Sequence, residues 1–510
     1  MRILVKGAAL AAMLALAAML ALPAAAQDQI TDQPRARVAQ GELIGTRERD
    51  ADAFLNVPFG AAPVGDLRWK ASAPPPAWSG VRDASKFGPA CMQPDAKPGG
   101  PWSIEYYFTG PYSEDCLNLN VWTTAKPGAN QAVVLFVPGG GFNQGGGGAP
   151  IYNGANMAKA GIVVVTMNYR LTAAGFLTHP ELTREVGHSG NYGLMDVIAA
   201  LTWLRENVAT FGGDPAKITV MGQSAGASAI NALLRSPQAK GLFRAAILNS
   251  GVRVNGTLAT SAEREQAGTE WGASKGAATL AGLRALPASA LVPTDRTAFS
   301  FRPTADGRVV PSATAPILHD VPVLTGWNLG EGATPPSKLL NQPVSRAEFE
   351  TWAGDRPQAK ELLSLYPSGG DATTAMHAAG HEALVMGSLA WAAARGGKTP
   401  VYLFDFERVT PGAQALTHGS YHSSELPYVF DTLHTLDRPW TDDDRKVAAT
   451  MQAYFVNFIK TGNPNGAGLP RWQAFDATKN DVMALGIAPG MRPVTAPAKA
   501  AYFRRVNANP

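Results

Sequence analysis

Two serines lie in the pattern Gly-x-Ser-x-Gly, in which a serine hydroxyl can serve as a nucleophile. The first, Ser224 in "GQSAG" (222–226), follows the strand-like "KITVM" and precedes "ASAINALLR", which has helix composition. The second, Ser274 in "GASKG" (272–276), lies in a stretch that is helical or irregular throughout. A nucleophile elbow needs a strand, a sharp turn and a helix, with glycines that let the two backbones approach closely. Ser224 is therefore the candidate, and we expect Ser274 to be a chance match.

A serine nucleophile needs a histidine base, an acid that orients this base, and donors for an oxyanion. Three glycines at 139–141 follow the strand-like "AVVLFV" and can turn successive N–H groups toward one point, which the N–H group of Ala225 can complete. The alternatives are a flexible turn or a phosphate loop, and the latter is disfavoured because no Gly-Lys-Ser/Thr follows. The chain order Ser, acid, His leaves five histidines open: His377, His381, His418, His422 and His434.

Short apolar runs that look like buried strands alternate with longer segments of helical composition. This alternation predicts an α/β fold with a large, mostly parallel sheet covered by helices on both faces. Residues 333–400 are less strand-like and are a candidate helical cap or side subdomain. The predicted strands are 132–137, 162–167, 218–221, 245–248, 321–326 and 401–406, and the predicted helices lie around 194–210, 225–235 and 444–460.

The first 26 residues are typical of a secretory signal peptide. Arg2 and Lys6 precede an apolar Ala/Leu/Met run, and small residues at 24–26 form a cleavage site. Cleavage after Ala26 predicts an exported protein, periplasmic or secreted, with no membrane span in the mature chain; the alternative is an uncleaved anchor. Loss of the signal leaves the chain nearly neutral, which excludes a nucleic-acid footprint. Residues 27–510 can form one large α/β domain or two or three smaller units.

The chain has two cysteines, Cys91 and Cys116. In an exported protein two thiols are expected to pair, and the alternative is two buried free thiols. A bond between them would close the loop 92–115 and stabilise the fold by roughly 3 kcal/mol. The sequence shows no Cys/His set with metal-ligand spacing, so it implies neither a metal nor a cofactor.

Several longer stretches resemble the type-B carboxylesterase family, the cholinesterase-like branch of the α/β-hydrolases, and its para-nitrobenzyl-esterase-like bacterial members. The resemblance extends over roughly residues 35–505 and implies the α/β-hydrolase fold. The stretches that carry it are "NVPFGAAPVGDLRWKASAPPPAW" (56–78), "SEDCLNLNVW" (113–122), "NYRLTAAGFLTHPEL" (168–182), the segment 190–227 and "GNPN" (462–465).

The resemblance implies a role for individual residues of the catalytic site. Ser224 matches the nucleophile, and Glu331 in "GWNLGEG" matches the triad acid. The pattern His-x-x-Glu-Leu-Pro selects His422 as the base, with His418 as the rival. Glu425 is then a supporting residue and not the triad acid.

The resemblance also implies oxyanion donors at Gly140, Gly141 and Ala225 and a disulfide between Cys91 and Cys116. This chain departs from the family at three positions. Pro138 precedes the three glycines, Gly330 stands where an aspartate is common, and Gln223 replaces the glutamate before the nucleophile. The loss of that acid argues against choline esters. The substrate-pocket candidates are Phe142, Gln223 and Trp102.

These features together predict a serine carboxylic-ester hydrolase. It would act through an acyl-enzyme on small to medium acyl or aromatic esters, with a small-molecule ester as its partner and no nucleic acid. An amidase, thioesterase or acyltransferase could use the same triad, and a non-catalytic binding module could share the fold. The presence of all three triad residues argues against the binding module. The sequence leaves the oligomeric state open.

Overall fold

An eleven-stranded sheet forms the centre of the computed structural model, which describes residues 33–252, 258–293, 301–312, 314–332 and 343–508. We number strands and helices in chain order. From edge to edge the strands of this sheet are β16 (Gly490–Pro493), β15 (Asp481–Leu485), β14 (Val401–Phe406), β13 (Val323–Asn328), β12 (Ala245–Asn249), β11 (Gly213–Gln223), β9 (Gln131–Val137), β10 (Val163–Met167), β8 (Asn118–Thr123), β4 (Ala51–Pro58) and β3 (Thr46–Glu48).

The central part of this sheet is parallel. The pairings that run from β10 through β9, β11, β12, β13 and β14 to β15 are all parallel, whereas the outer strands on both sides pair antiparallel. All six strands predicted from the sequence lie in the parallel part. Two small sheets stand apart and consist of β1 (Arg35–Val38), β2 (Gly41–Ile44) and β5 (Val81–Asp83), and of β6 (Ala90–Cys91) with β7 (Tyr112–Ser113).

Helices cover both faces of the sheet, as predicted. The buried side chains of β9 alternate between two hydrophobic clusters, with Val133 and Leu135 in one and Val134 and Phe136 in the other. This alternation is the period of two that a strand buried on both faces requires. The α-helices of the described residues are α1 (Ala155–Ala158), α2 (Thr172–Phe176), α3 (Pro180–Val186), α4 (Tyr192–Asn207), α5 (Ala225–Leu233), α6 (Ser261–Ser274), α7 (Leu280–Ala285), α8 (Arg346–Gly354), α9 (Ala359–Leu365), α10 (Ala372–Ala394), α11 (Ala415–His418), α12 (Leu426–Val429), α13 (Asp442–Thr461) and α14 (Pro497–Ala508).

The region predicted as a cap or side subdomain is helical where it is described. Residues 343–400 contain α8, α9 and α10, and the long α10 is tied to the sheet because Trp327 Nε1 on β13 donates to Ser388 Oγ at 2.8 Å. A separate cap remains a prediction. The predicted signal peptide, 1–26, lies outside the described residues. Within the described ranges, no helix combines the length and the apolar character that a bilayer crossing requires.

Cys91 and Cys116 form the expected disulfide, with their Cα atoms 4.9 Å apart. The bond joins the end of β6 to the residues just before β8 and closes a loop that contains buried Tyr106 and Phe108. The loop is therefore fixed both covalently and by packed aromatic rings.

Replacing both cysteines, Cys91→Ala with Cys116→Ala, is expected to lower the free energy of unfolding by about 3 kcal/mol, because the unfolded chain gains the entropy of an open loop. Urea unfolding followed by tryptophan fluorescence measures this difference. The oxidised and the reduced wild-type protein are the controls, and equal urea midpoints for the variant and the oxidised protein would contradict the assignment of the stabilisation to this bond.

Candidate active site

Ser224 occupies the turn between strand β11 and helix α5. Its backbone has φ 56° and ψ −121°, a conformation that residues other than glycine rarely adopt. Its N–H group donates to the carbonyl of Asn249, at the end of the neighbouring strand β12, at 2.8 Å. The side chain is partly exposed, whereas Gln223 and Ala225 on either side are buried. This is the strand–turn–helix geometry expected of a nucleophile elbow.

The two glycines of the motif permit this turn. A Cβ atom on Gly222 would come within 2.5 Å of the backbone of Gly226, and one on Gly226 within 2.0 Å of the carbonyl oxygen of Val137. Any side chain at either position would push helix α5 away from β11 and β9. The motif at 272–276 is different because Ser274 is the last residue of helix α6 and its Oγ donates to the carbonyl of Trp271.

His422 is held at both ends of its ring. The side chain is about one-third exposed, and Nδ1 lies 2.7 Å from Glu331 Oε2. On the other side, Nε2 lies 3.2 Å from Nε2 of Gln223, the residue before Ser224. The ring therefore bridges the end of β11 and the segment after β13 that carries Glu331. We call this segment, 329–332, the acid loop.

Glu331 is a buried carboxylate with three hydrogen-bond donors. Besides His422, the hydroxyl of Ser250 donates to Oε1 at 2.6 Å and the N–H group of Asn328 donates to Oε1 at 3.0 Å. Burial alone would raise the pKa of Glu331, but the positive charge of His422 and the hydrogen bonds from His422, Ser250 and Asn328 outweigh burial and lower it. The carboxylate is thus kept ionised, and it can only accept a hydrogen bond from an N–H group at Nδ1.

His418, the rival histidine, has different neighbours. Its ring lies 6.5 Å from the ring of Tyr421 in an edge-to-face arrangement. Burial and the charge of Arg438 lower the pKa of His418. The contacts to Glu331 and Gln223 belong to His422, as the His-x-x-Glu-Leu-Pro pattern implied.

The glycine loop after β9 lies directly against the serine turn. A Cβ atom on Gly139 would come within 3.1 Å of Ser224 Cβ, and Gly140 and Gly141 both have positive φ, 110° and 66°. The N–H group of Ala225 is at the start of helix α5, where the first N–H groups have no partner inside the helix. The glycine loop and the start of helix α5 therefore lie next to Ser224.

Comparison with known proteins decides the family. Residues 32–503 match the family model described as "Carboxylesterase family". The chain belongs to the carboxylesterase family. Two characterised relatives are similar over most of its length: the fumonisin B1 esterase of Sphingopyxis macrogoltabida (36% identical, 92% of this chain and 89% of that protein) and the para-nitrobenzyl esterase of Bacillus subtilis (33% identical, 87% and 93%).

A solved structure of a PNB esterase superposes on this carboxylesterase with a TM-score of 0.77. It is 28% identical in sequence, and the match covers 94% of this chain and 100% of that one. The fold is therefore the α/β-hydrolase fold. The family and the relatives named as esterases establish the reaction of this protein as the hydrolysis of carboxylic esters.

The three pocket candidates have distinct environments in this carboxylesterase. Phe142 is buried and packs its ring edge-to-face on Phe176 at 5.1 Å. Trp102, in the disulfide loop, donates from Nε1 to the backbone carbonyl of His422 at 2.9 Å. Gln223 is the neighbour of His422 Nε2 described above. None of the three lines a cavity of about 380 Å³ that lies beside Phe176, Trp271 and Phe301.

Two supporting residues were not found from the sequence. Ser250 and Asn328 both donate to Glu331, and each comes at or just after the end of a strand next to the acid loop. A polar residue at the carboxyl end of a parallel strand is the signal that could have identified them. Gly330, a departure from the family, is explained by packing, since a Cβ atom there would lie 2.7 Å from the carbonyl oxygen of Ser420.

Glu425 is a second buried carboxylate behind the site. Asn328 Nδ2 donates to its Oε2 at 2.6 Å and Asn249 Nδ2 to its Oε1 at 3.3 Å. Burial raises the pKa of Glu425 to about 7, the hydrogen bond from Asn328 opposes this shift, and the charge of Glu331 adds to it. In the described residues no group of three or more His, Cys, Asp or Glu side chains is arranged to hold a metal ion.

Glu425→Gln is expected to change how stability depends on pH. Because the folded protein keeps the Glu425 proton to a higher pH than the unfolded chain, this group stabilises the fold below pH 4.5, and that stability is lost as the pH rises through about 7. One such proton changes the free energy of unfolding by at most about 1.4 kcal/mol per pH unit. The variant should therefore lose less stability between pH 5 and pH 8 than the wild type, as measured by urea unfolding.

The matched control for Glu425→Gln is Glu350→Gln, which changes a half-exposed carboxylate paired with Arg346 on helix α8. It should keep the wild-type pH dependence. Parallel curves for Glu425→Gln and the wild type would show that Glu425 does not titrate in this range.

Proposed function

We propose that this carboxylesterase hydrolyses esters through an acyl-enzyme on Ser224, with His422 as general base and Glu331 as the acid that orients it. The observation that carries the proposal is the bridge made by one imidazole, whose Nδ1 lies 2.7 Å from Glu331 Oε2 and whose Nε2 lies beside the residue before Ser224. Glu331 and His422 are 91 positions apart in the chain, and Gln223 and His422 are 199 apart, yet they meet at the carboxyl edge of one sheet.

In the first half of the reaction Ser224 Oγ attacks the ester carbonyl as His422 Nε2 takes its proton. The imidazolium that forms has its charge beside ionised Glu331, which also keeps the proton on Nδ1 and so leaves Nε2 able to accept. His422 then passes its proton to the leaving alcohol. In the second half it activates water in the same way, and the acid is released.

Three backbone N–H groups, those of Gly140, Gly141 and Ala225, are the proposed oxyanion donors. The position of the glycine loop beside Ser224 and the positive φ values of Gly140 and Gly141 support this assignment, and the N-terminal end of helix α5 adds a favourable dipole. Losing one such donor costs roughly 3 kcal/mol of transition-state stabilisation in serine hydrolases. Pro138 does not impair the loop, because the donors lie two and three residues after it.

The proposed substrates are uncharged esters with a small to medium acyl group or an aromatic part. Gln223 places a neutral amide where the family usually has a glutamate, so the site lacks the negative charge that would attract a cationic ester. The relatives are named for a fumonisin, a para-nitrobenzyl ester and phenmedipham, which supports a substrate range beyond choline esters.

We also propose that the protein is exported, to the periplasm or the medium. The basic start, the apolar run and the small-residue site of residues 1–26 support this proposal. The disulfide between Cys91 and Cys116 supports it independently, because such bonds persist in oxidising compartments.

Ser224→Ala is expected to lower kcat by about 10⁴- to 10⁶-fold, because the covalent pathway is lost. It should also abolish labelling by a fluorophosphonate. Ser274→Ala, at the second Gly-x-Ser-x-Gly motif, is the matched control and should retain both labelling and activity. Labelling of the Ser224→Ala variant at the wild-type rate would refute the assignment of the nucleophile.

His422→Gln and His418→Gln form a second matched pair, four residues apart in the chain. His422→Gln should reduce kcat/KM for a short aryl ester by at least about 10³-fold, because Ser224 loses its base. His418→Gln should stay within about tenfold of the wild type. If the two variants exchange these values, His418 is the base and the proposed triad is wrong.

A further inference from the structure

Nε2 of His422, the atom that takes the serine proton in the proposed mechanism, already has a polar neighbour. The side-chain nitrogen of Gln223 lies 3.2 Å from it. Gln223 is only 2% exposed, so solvent does not compete strongly for this amide. The contact is specific to an amide at this position, because a carboxylate there would carry no hydrogen to donate.

The acid on the other side of the ring determines the direction of this hydrogen bond. Glu331 is ionised and accepts a hydrogen bond from the Nδ1–H group at 2.7 Å, so the neutral imidazole has its lone pair on Nε2. The NH₂ group of an amide can only donate. The Gln223 amide therefore donates to Nε2, and this bond favours the neutral form of His422 over the imidazolium.

The fold holds the amide in this place. Gln223 is the last residue of β11 and pairs with Asn249 on β12. On the opposite side, a Cβ atom on Gly139 would come within 2.7 Å of Gln223 Oε1, so the glycine loop closes over the side chain. Gln223 is therefore held by the pairing of β11 with β12 on one side and by the glycine loop on the other.

Two carboxylates act on His422 among the described residues. Glu331 faces it from the acid loop, and Glu425 acts on it from three residues along its own segment. Two uncharged side chains also contact this residue: Gln223 from β11 lies beside Nε2, and Trp102 from the disulfide loop donates to the backbone carbonyl. Gln223 is thus an uncharged hydrogen-bond donor at the ring nitrogen opposite Glu331.

We infer that Gln223 is a positioning residue that donates a hydrogen bond to His422 Nε2 before substrate binds, and so sets the pH at which the histidine becomes able to act as a base. The inference rests on the proposed triad and adds a residue to it. When Ser224 attacks, its hydroxyl replaces the amide at the same lone pair and its proton passes to Nε2. The amide keeps the base neutral and aligned until that moment.

The test is the pH profile of kcat/KM for a neutral short-chain aryl ester, followed at the isosbestic wavelength of the released phenol. Gln223→Met keeps the length of the side chain but removes the donor that favours neutral His422. The acid limb of the profile, where activity is lost as the pH falls, should therefore move to higher pH by about half a unit to one unit. Gln223→Glu places a carboxylate beside Nε2, which favours the imidazolium form of His422. The acid limb of its profile should therefore move to higher pH by about one to two units.

All profiles are measured in the Glu425→Gln background, because a pKa of about 7 for Glu425 would otherwise overlap the acid limb. The matched control is Gln40→Glu, the same change at a residue between β1 and β2 that accepts a hydrogen bond from Trp203. Its acid limb should coincide with that of the parent. If Gln223→Met does not fold, Gln223→Leu replaces it.

Each variant is first labelled with a fluorophosphonate, which separates the inference from the proposed function. If the parent is not labelled at Ser224, the triad itself fails. If all variants are labelled and their acid limbs coincide with that of the Glu425→Gln parent, Gln223 is structural and the inference is overturned. The same holds if only the plateau value of kcat/KM falls. A shift in Gln223→Glu without one in Gln223→Met would show a charge effect alone and would also overturn it.

Discussion

The site depends on one contact, the hydrogen bond between the ring of His422 and the buried carboxylate of Glu331. A carboxylate that is 7% exposed is costly unless donors compensate it, and here His422, Ser250 and Asn328 supply them. The same contact keeps the proton on Nδ1 and leaves Nε2 for chemistry. The donors to Glu331 therefore serve two ends. They stabilise the buried carboxylate, and the ionised carboxylate in turn fixes the tautomer of His422.

Parallel strands explain how residues so distant in sequence meet. Strands β11, β12 and β13 are neighbours, and their carboxyl ends carry Ser224, Ser250 and Glu331 in turn. The glycines of the elbow allow helix α5 to start close beneath the loop after β9. The parallel centre of the sheet thus brings these three residues to one edge, although the segments that connect the strands differ in length.

Local patterns predicted the sheet and the choice between Ser224 and Ser274, because both depend on neighbouring residues alone. Chain order could not choose the histidine, and only the likeness of 422–430 to a family motif selected His422. The donors Ser250 and Asn328 were missed since their roles arise from tertiary contacts. Gln223 was predicted as a pocket residue, yet it is buried against the imidazole, which no periodicity reveals.

Trp102 connects the cross-linked loop to the segment of the base, since its indole donates to the carbonyl of His422. Tyr106 of the same loop shares a hydrogen bond with Tyr421, the residue just before His422. A chain whose thiols have not yet oxidised lacks the covalent closure that holds these two aromatic anchors. Oxidation of the two thiols is therefore expected to help fix the backbone around His422 during maturation, through a loop that itself carries none of the proposed triad residues.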